Sequence, residues 1–435
     1  MKIITWQTLT QAEKKAILTR GHSHTQRNQL HKSVAEIIHK VRMEGDLALK
    51  HYTHMFDHIE LDGLTLEPQA WLTIDSLDIK IKQAINFAYE KIQRFHQRCL
   101  PPTIRSTENG IDVWKTYRSI ESVGLYIPGG TAPLISTLLM LAIPATLAGC
   151  QHIILTTPPN QHGHIHPAIL YAAQCCGIHK IYRVGGAQAI AALAYGTESV
   201  PKVNKIFGPG NKYVTAAKLQ VAQDPDGAAL DMPAGPSEVL VIADETANIS
   251  FVAADLLAQA EHDEDARAIL VTTNEDLARQ VIAELNKQAK NLNRQAILKK
   301  SLPKAWAILA QDLQEALVIS NTYAPEHLIL QVNNPKDYLQ QVHNAGSVFI
   351  GPWSAEALGD YASGSNHVLP TYGYAKSYSG IGVEAFMKAI TFQEISAEGL
   401  MHLSEAVETL TNLEGLDAHK LSVLNRVNSI RENNL

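Results

Sequence analysis

Through residues 1–105 the hydrophobic positions recur at helical rather than alternating spacing. Val34, Ile37, Ile38 and Val41 fall on one face of Ser33–Met43, with Gly45 as a stop, and a second helix is predicted over Ile79–Cys99. Pro101-Pro102 ends it, because the residue before a proline is pushed out of helical geometry. From about residue 120 short apolar runs alternate with helical segments. Strands are predicted at Ser122–Ile127, His152–Thr156, Lys180–Val184, Lys205–Phe207, Glu238–Ala243, Ala268–Thr272, Ala316–Ser320, Leu328–Val332 and Ser347–Ile350. Helices are predicted between them at Ala187–Tyr195, Asn211–Gln223, Phe251–His262 and Glu275–Lys290. This alternation predicts α/β units with parallel sheets, and so many strands predict two sheets rather than one. From about Val383 the chain returns to helix with no strong strand. The division is a mainly helical N-terminal region (1–105), two α/β domains (106–236 and 237–382) and a helical C-terminal domain (383–435). No repeat of fixed period and no low-complexity tract is visible.

Composition narrows the partners. The chain has 435 residues, too many for one ordinary core, and its 46% hydrophobic and 18% charged residues exclude a mainly disordered protein. With 37 Lys+Arg against 43 Asp+Glu, the chain lacks the basic excess that a nucleic-acid partner requires. The most apolar window, Ala132–Cys150, is broken by Pro133, Ser136, Thr137, Pro144 and Thr146, so it reads as a buried helix rather than a membrane span. Met1–Thr10 lacks the apolar run of a signal peptide, and a soluble, cytoplasmic protein is expected. Cys99, Cys150, Cys175 and Cys176 are too few and too irregular for a disulfide scaffold, and the adjacent Cys175 and Cys176 read as buried thiols. His152, His162, His164 and His166 crowd a polar stretch without carboxylate or thiolate partners and read as solvated.

Several segments bring chemistry-bearing residues together. In open parallel sheets ligands collect beyond the carboxyl ends of the strands, so the loops that follow the predicted strands are the places to search. Three glycine-rich turns follow strands there: Tyr126-Ile-Pro-Gly-Gly-Thr-Ala-Pro, Val184-Gly-Gly-Ala-Gln-Ala and Ile206-Phe-Gly-Pro-Gly-Asn-Lys. Glycines let the backbone approach a ligand closely, and the N–H groups of a following helix favour an anion, so the turns are either a phosphate-bearing cofactor site or ordinary strand-to-helix turns. Gly380-Ile-Gly-Val-Glu-Ala matches a dinucleotide fingerprint in spacing, but no buried strand precedes it and the match is rejected. Gln259 and His262 share a helical face, so they either converge on one ion or mark a surface helix end. Glu326-His327 before an apolar strand either supplies two proton carriers at one place or forms a solvated turn. Gly359–His367 packs small and polar residues between hydrophobic stretches, and Glu414 and His419 lie five apart near the C-terminus.

Taken jointly, these segments resemble the histidinol dehydrogenase family. The resemblance covers the chain from about residue 25 and is most specific at Gly124-Leu-Tyr-Ile-Pro-Gly-Gly, Ile206-Phe-Gly-Pro-Gly-Asn, Asp231-Met-Pro-Ala-Gly-Pro-Ser-Glu-Val-Leu, Gln259-Ala-Glu-His, Pro325-Glu-His-Leu, Gly359-Asp-Tyr-Ala-Ser-Gly and Gly415-Leu-Asp-Ala-His. It implies a fold of two Rossmann-like, incomplete parallel-sheet domains plus smaller helical N- and C-terminal ones. It also implies oxidation of L-histidinol to L-histidine through L-histidinaldehyde, with NAD as acceptor in both steps and one Zn2+ per subunit. On this resemblance the zinc ligands are Gln259, His262, Asp360 and His419, the last supplied by the partner in a homodimer. Substrate contacts map to Ser237, Gln259, His262, His327, Asp360, Glu414 and His419, and NAD contacts to Tyr126, Gln188 and Asn211. Glu326 and His327 match the catalytic pair: His327 as the base, Glu326 as the group that activates water. The histidine-rich loop near residue 160 is the main divergence and is expected to touch none of these positions. An N/O ligand set would also accept manganese or cobalt. Two competing readings are a zinc- and NAD-dependent dehydrogenase of another small alcohol and a zinc-organised scaffold without turnover. Glu414 and His419 speak against the first, and the Glu326-His327 pair against the second.

Overall fold

A computed structural model describes residues 1–20, 24–66, 68–129, 133–233 and 235–433, with backbone alone at 24–27, 68 and 433. The chain divides into two compact units, residues 1–99 with 120–386 and residues 100–119 with 387–435.

Two parallel sheets organise the first unit, as the strand–helix alternation requires. In the five-stranded sheet the spatial order is Ile181–Tyr182, His152–Thr156, Ser122–Tyr126, Lys205–Phe207, Ala229–Leu230. In the six-stranded sheet it is Lys2–Thr5, Trp306–Leu309, Arg267–Thr272, Glu238–Ala243, His327–Gln331, Ser347–Ile350. In both sheets the chain builds outward from one central strand, then crosses back to pair on that strand's other side. These reversals are the switch points at which doubly wound sheets open a crevice.

Burial on both faces explains why the strands of the six-stranded sheet read as continuous apolar runs. Val239, Val241, Leu270 and Ile329 face one core with the helices Ile249–Ala260 and Glu275–Ala289, while Leu240, Ile242, Val271 and Leu328 face the other with the helix Leu313–Tyr323. Against the five-stranded sheet's own helices, Gly186–Tyr195 and Lys212–Gln223, pack Val34, Ile37, Ile38 and Val41 of the helix His24–Glu44. That is the face its spacing predicts. Cys176 is buried while Cys175 is half-buried, and the four cysteines are unpaired. Among the described residues no helix is long and apolar enough to cross a membrane.

Four details differ from the sequence reading. Ala316–Ser320 is not a strand but part of the helix Leu313–Tyr323, whose N-cap Asp312 accepts from the Glu315 N–H. The β-branched run concealed that cap, and Val318, 63% exposed, lies on the helix's outer side. The strand of that region is Trp306–Leu309, and Lys2–Thr5 pairs with it in parallel. Four-residue strands carry too little alternation to be read. The second unit holds an antiparallel sheet of Ile104–Glu108, Ile111–Ser119 and Met387–Ile395, where only helix was expected after Val383. Its strands are mostly exposed or half-buried, so there was little apolar pattern to detect. Asn109-Gly110, both at positive φ (48° and 74°), form the tight turn of its hairpin. Two helices complete this unit, Ala397–Glu414 and Asp417–Asn433.

His96 records the cost of burying an ionisable ring. It sits in the last turn of the helix Ile79–Arg98, where the helix dipole favours a cation, yet neither ring nitrogen has a hydrogen-bond partner and burial lowers its pKa to about 4. A pKa depressed on folding gives stability that is complete above the unfolded value of 6.5 and is lost as pH falls toward 4. Between pH 7 and pH 5 the wild-type chain should therefore lose about 1–2 kcal/mol more than a His96→Phe variant. Urea denaturation of both proteins at the two pH values measures this; equal losses would mean that His96 does not stay neutral in the fold.

Candidate active site

The Glu326-His327 pair stands at the amino edge of the six-stranded sheet. Glu326 immediately precedes the His327–Gln331 strand, Ser237 immediately precedes the neighbouring Glu238–Ala243 strand, and the helix Ile249–Ala260 runs back to end beside them with Gln259 and His262. This is the edge opposite to the carboxyl ends, in keeping with the placement of Glu326-His327 before an apolar strand in the sequence. A helix that follows a parallel strand returns its own C-terminus to the amino edge, and that end carries Gln259 and His262 here.

Local backbone geometry fixes the pair. Ala324, the C-cap of the helix Leu313–Tyr323, adopts φ 53°, a left-handed conformation costly for a residue with a Cβ, and turns the chain into Pro325-Glu326. Gly346 passes so close that an added Cβ would lie 2.6 Å from the Glu326 carbonyl oxygen. The Glu326 carboxylate accepts from the backbone N–H of Glu238 at 2.9 Å. Glu238 in turn accepts from the Tyr323 hydroxyl at 2.7 Å and pairs with Arg20, so the start of its strand is anchored on both sides.

His327 is the centre of the cluster. Its Nδ1 lies 3.3 Å from the Glu238 carbonyl oxygen and 3.2 Å from Gln259 Oε1. A backbone carbonyl only accepts, so Nδ1 carries a proton, and in the neutral ring Nε2 is the proton-accepting atom. Nε2 has no hydrogen-bond partner and faces Asp360 Oδ1 at 3.6 Å. Two further carboxylates approach Nδ1, Glu356 at 3.6 Å and Glu326 at 3.7 Å. Burial alone would lower the imidazole pKa, but Glu356, Glu326 and Asp360 overcome it and hold His327 up at about 10. Burial pushes Glu326 and Glu356 up to about 8 each, against the opposing pull of the His327 charge. Asp360 resists its own burial and is held low by His327.

The remaining expected residues fall as follows. Gln259 is fully buried, and its Nε2 has no partner. His262 is exposed in part, yet crowding lowers its pKa while Asp360 pulls the other way, which places the two within electrostatic reach. Among the described residues no group of three or more His, Cys, Asp and Glu side chains is gathered as a metal site. Glu414 and His419 belong to the second unit, one ending the helix Ala397–Glu414 and the other in the first turn of the next, both exposed. Tyr126, Gln188 and Asn211 line one cavity of about 950 Å³ at the carboxyl edge of the five-stranded sheet. This cavity obeys the switch-point rule that the catalytic cluster departs from. The Tyr126 hydroxyl accepts from the Gly186 N–H at 3.2 Å, and Asn211 caps the helix Lys212–Gln223. Pro158–His162 also line the cavity, so the histidine-rich loop does meet these positions, contrary to expectation, while its histidines are exposed as predicted. Gly130, Thr131 and Ala132 of the first glycine-rich turn, and Ala234 of the Asp231 motif, lie outside the described residues.

Sequence reasoning missed Glu356 and His367. Glu356 precedes Asp360 by one helical turn in Glu356–Tyr361, a spacing that places both carboxylates on one face and could have been read. His367 Nδ1 lies 2.8 Å from the Asp360 carbonyl oxygen and its Nε2 3.2 Å from the Thr137 hydroxyl, joining the catalytic segment to the helix Ile135–Ala148 that follows the Tyr126 strand.

Known proteins match this arrangement throughout its length. The sequence profile of the histidinol dehydrogenase family matches residues 20–427. The chain belongs to the histidinol dehydrogenase family. Relatives named histidinol dehydrogenase include one from Vibrio vulnificus (strain YJ016), 50% identical over 99% of each chain, and one from Bacteroides thetaiotaomicron, 52% identical over 92% of this chain and 93% of that one. The crystal structure of a histidinol dehydrogenase from Elizabethkingia anophelis superposes with a TM-score of 0.94, at 43% identity over 99% of both chains.

The three-carboxylate surround of His327 is open to a direct test. Removing one buried negative charge with Glu356→Gln should bring the His327 pKa in metal-free protein down from about 10 toward about 9 or below. NMR titration of selectively labelled histidine measures it; an unchanged His327 titration would show that Glu356 does not act on the ring.

Proposed function

We propose that this chain oxidises L-histidinol to L-histidine in two successive steps, with NAD as acceptor and L-histidinaldehyde held between them. The observation that carries the reading is the His327 ring, with Nδ1 committed to fixed acceptors and Nε2 free beside Asp360. The donor set fits a metal ion: His262 and Asp360 lie within electrostatic reach of each other, and the buried Gln259 Oε1, which takes one hydrogen bond from His327 Nδ1, keeps a second lone pair. A cation at Gln259, His262, Asp360 and the partner subunit's His419 would chelate the substrate's amino and imidazole nitrogens and offset the carboxylate charge that keeps His327 protonated. Zinc suits these N and O donors. The large cavity, with its partnerless Gln188 Oε1 and the N-termini of two helices, fits NAD, which would accept the hydride at each step.

The chain's own residues then carry the protons. His327 Nε2 takes the hydroxyl proton as the alcohol becomes the aldehyde. Glu326, with a pKa near 8, exchanges a proton at neutral pH and activates the water that hydrates the aldehyde. His327 deprotonates the hydrate, and the carboxylic acid results. The balance is one histidinol, two NAD and one water giving one histidine, two NADH and three protons. Ser237 at the strand edge contacts substrate, and the partner subunit's Glu414 accepts from the N–H of the substrate's neutral imidazole. In this reading residues 106–236 hold NAD, 237–382 the catalytic cluster, and 383–435 complete the partner's site in a cytoplasmic homodimer.

Anaerobic incubation of the dimer with limiting histidinol and excess NAD should yield two NADH per substrate. Glu326→Gln should slow the oxidation of added histidinaldehyde about tenfold or more beyond its effect on the alcohol step in single-turnover assays. One NADH per histidinol in the wild type would contradict the four-electron reading, and equal loss in both steps would remove Glu326 from water activation.

A further inference from the structure

The large cavity carries one charged group that no step of the reaction uses. Asp57, the last residue of the helix Asp46–Asp57, lines it together with Tyr126, Gln188 and Asn211. Its Oδ2 is shut off from solvent and has no hydrogen-bond partner. A buried carboxylate oxygen left unpaired is costly, and a ligand donor entering the cavity beside it would offset that cost. The carboxylate is near enough to Tyr126 for its charge to add to the burial that holds that phenol up at about 12. The same stretch of chain supplies an apolar wall, Phe56 and Ile59, faced by Ile37 of the preceding helix. The N-termini of the helices Gly186–Tyr195 and Lys212–Gln223 also line it, the second capped by Asn211 and the first without a side-chain cap. Among the described residues the cavity wall includes no lysine or arginine. The cavity thus combines helix N-termini that favour an anion with apolar side chains and one carboxylate.

We propose that Asp57 is the cofactor-selecting residue, its free oxygen accepting hydrogen bonds from the adenosine ribose hydroxyls of NAD and rejecting the 2′-phosphate of NADP. This rests on the reading of the cavity as the NAD site. A ribose diol offers two donors to a carboxylate that has none, whereas a 2′-phosphate removes one donor and sets a dianion beside an unneutralised negative charge. The adenine lies against Ile37, Phe56 and Ile59, and the pyrophosphate meets the free N–H groups that follow Gly186 in the first turn of its helix. Specificity here comes from repulsion as much as from attraction.

The test measures NAD and NADP binding to the full dimer by titration calorimetry, and kcat/KM with each cofactor, for the wild type, Asp57→Asn and Asp57→Ser, with thermal unfolding as the check on folding. A Gln188→Ala variant tests the cavity itself. The wild type should prefer NAD over NADP by about 100-fold or more, and both Asp57 variants should shrink that ratio about tenfold, in binding as well as in turnover. If Gln188→Ala weakens NAD about fivefold or more while both folded Asp57 variants keep the wild-type ratio within twofold, the selecting role of Asp57 is overturned and the cavity reading stands. If neither Gln188→Ala nor the Asp57 variants alter the binding of NAD, NAD does not occupy this cavity and both readings fall.

Discussion

Everything at the catalytic cluster depends on how the His327 ring is held. A backbone carbonyl and a side-chain amide claim Nδ1, which leaves one nitrogen facing outward as a base. The carbonyl belongs to Glu238, the first residue of the adjacent strand, so the orientation of the ring is set by the parallel register between two strands. Strand pairing here does the work that a dedicated carboxylate does in many acid–base sites. The surrounding carboxylates do something else: they raise the affinity of the ring for a proton, and the cluster shares protons rather than holding one in each group.

The placement of the two sites follows from the two sheets. Both have the same winding, yet one presents its carboxyl edge to a cavity suited to a dinucleotide and the other presents its amino edge to the chemistry. The segment 356–367 reconciles these directions. It brings Glu356 and Asp360 to His327, and through His367 and Asn366 it bonds to Thr137 and the Met140 carbonyl of the helix that follows the Tyr126 strand. These two bonds tie the His327 cluster to the strand and helix that carry Tyr126.

Much of this was legible in the sequence. Apolar runs bounded by turns located most strands to within a residue, because both faces of a buried parallel sheet demand them. Gln259, Glu326 and His327 stood out by residue type and spacing and Asp360 through the family resemblance, and the fold brings those four side chains together. What stayed hidden has physical causes. The antiparallel sheet of the second unit buries little, so its strands lack alternation, and the Asn109-Gly110 turn was the only local sign of it. Asp57 and Glu356 lie in otherwise ordinary helices, and only three-dimensional burial shows that each has an oxygen without a partner. The amino-edge location of Gln259 and His262 could not be read from strands alone, since it depends on where the intervening helix ends.

The central claim is that His327 works through Nε2, from a ring pinned at Nδ1 to the sheet edge. A crystal structure of the dimer soaked with zinc and L-histidinol tests it most directly. The account predicts the ion on Gln259, His262 and Asp360, with the alcohol oxygen within hydrogen-bonding distance of Nε2 and the Glu238 carbonyl still facing Nδ1. An alcohol oxygen seated against Nδ1, or an ion bound away from Asp360, would contradict it.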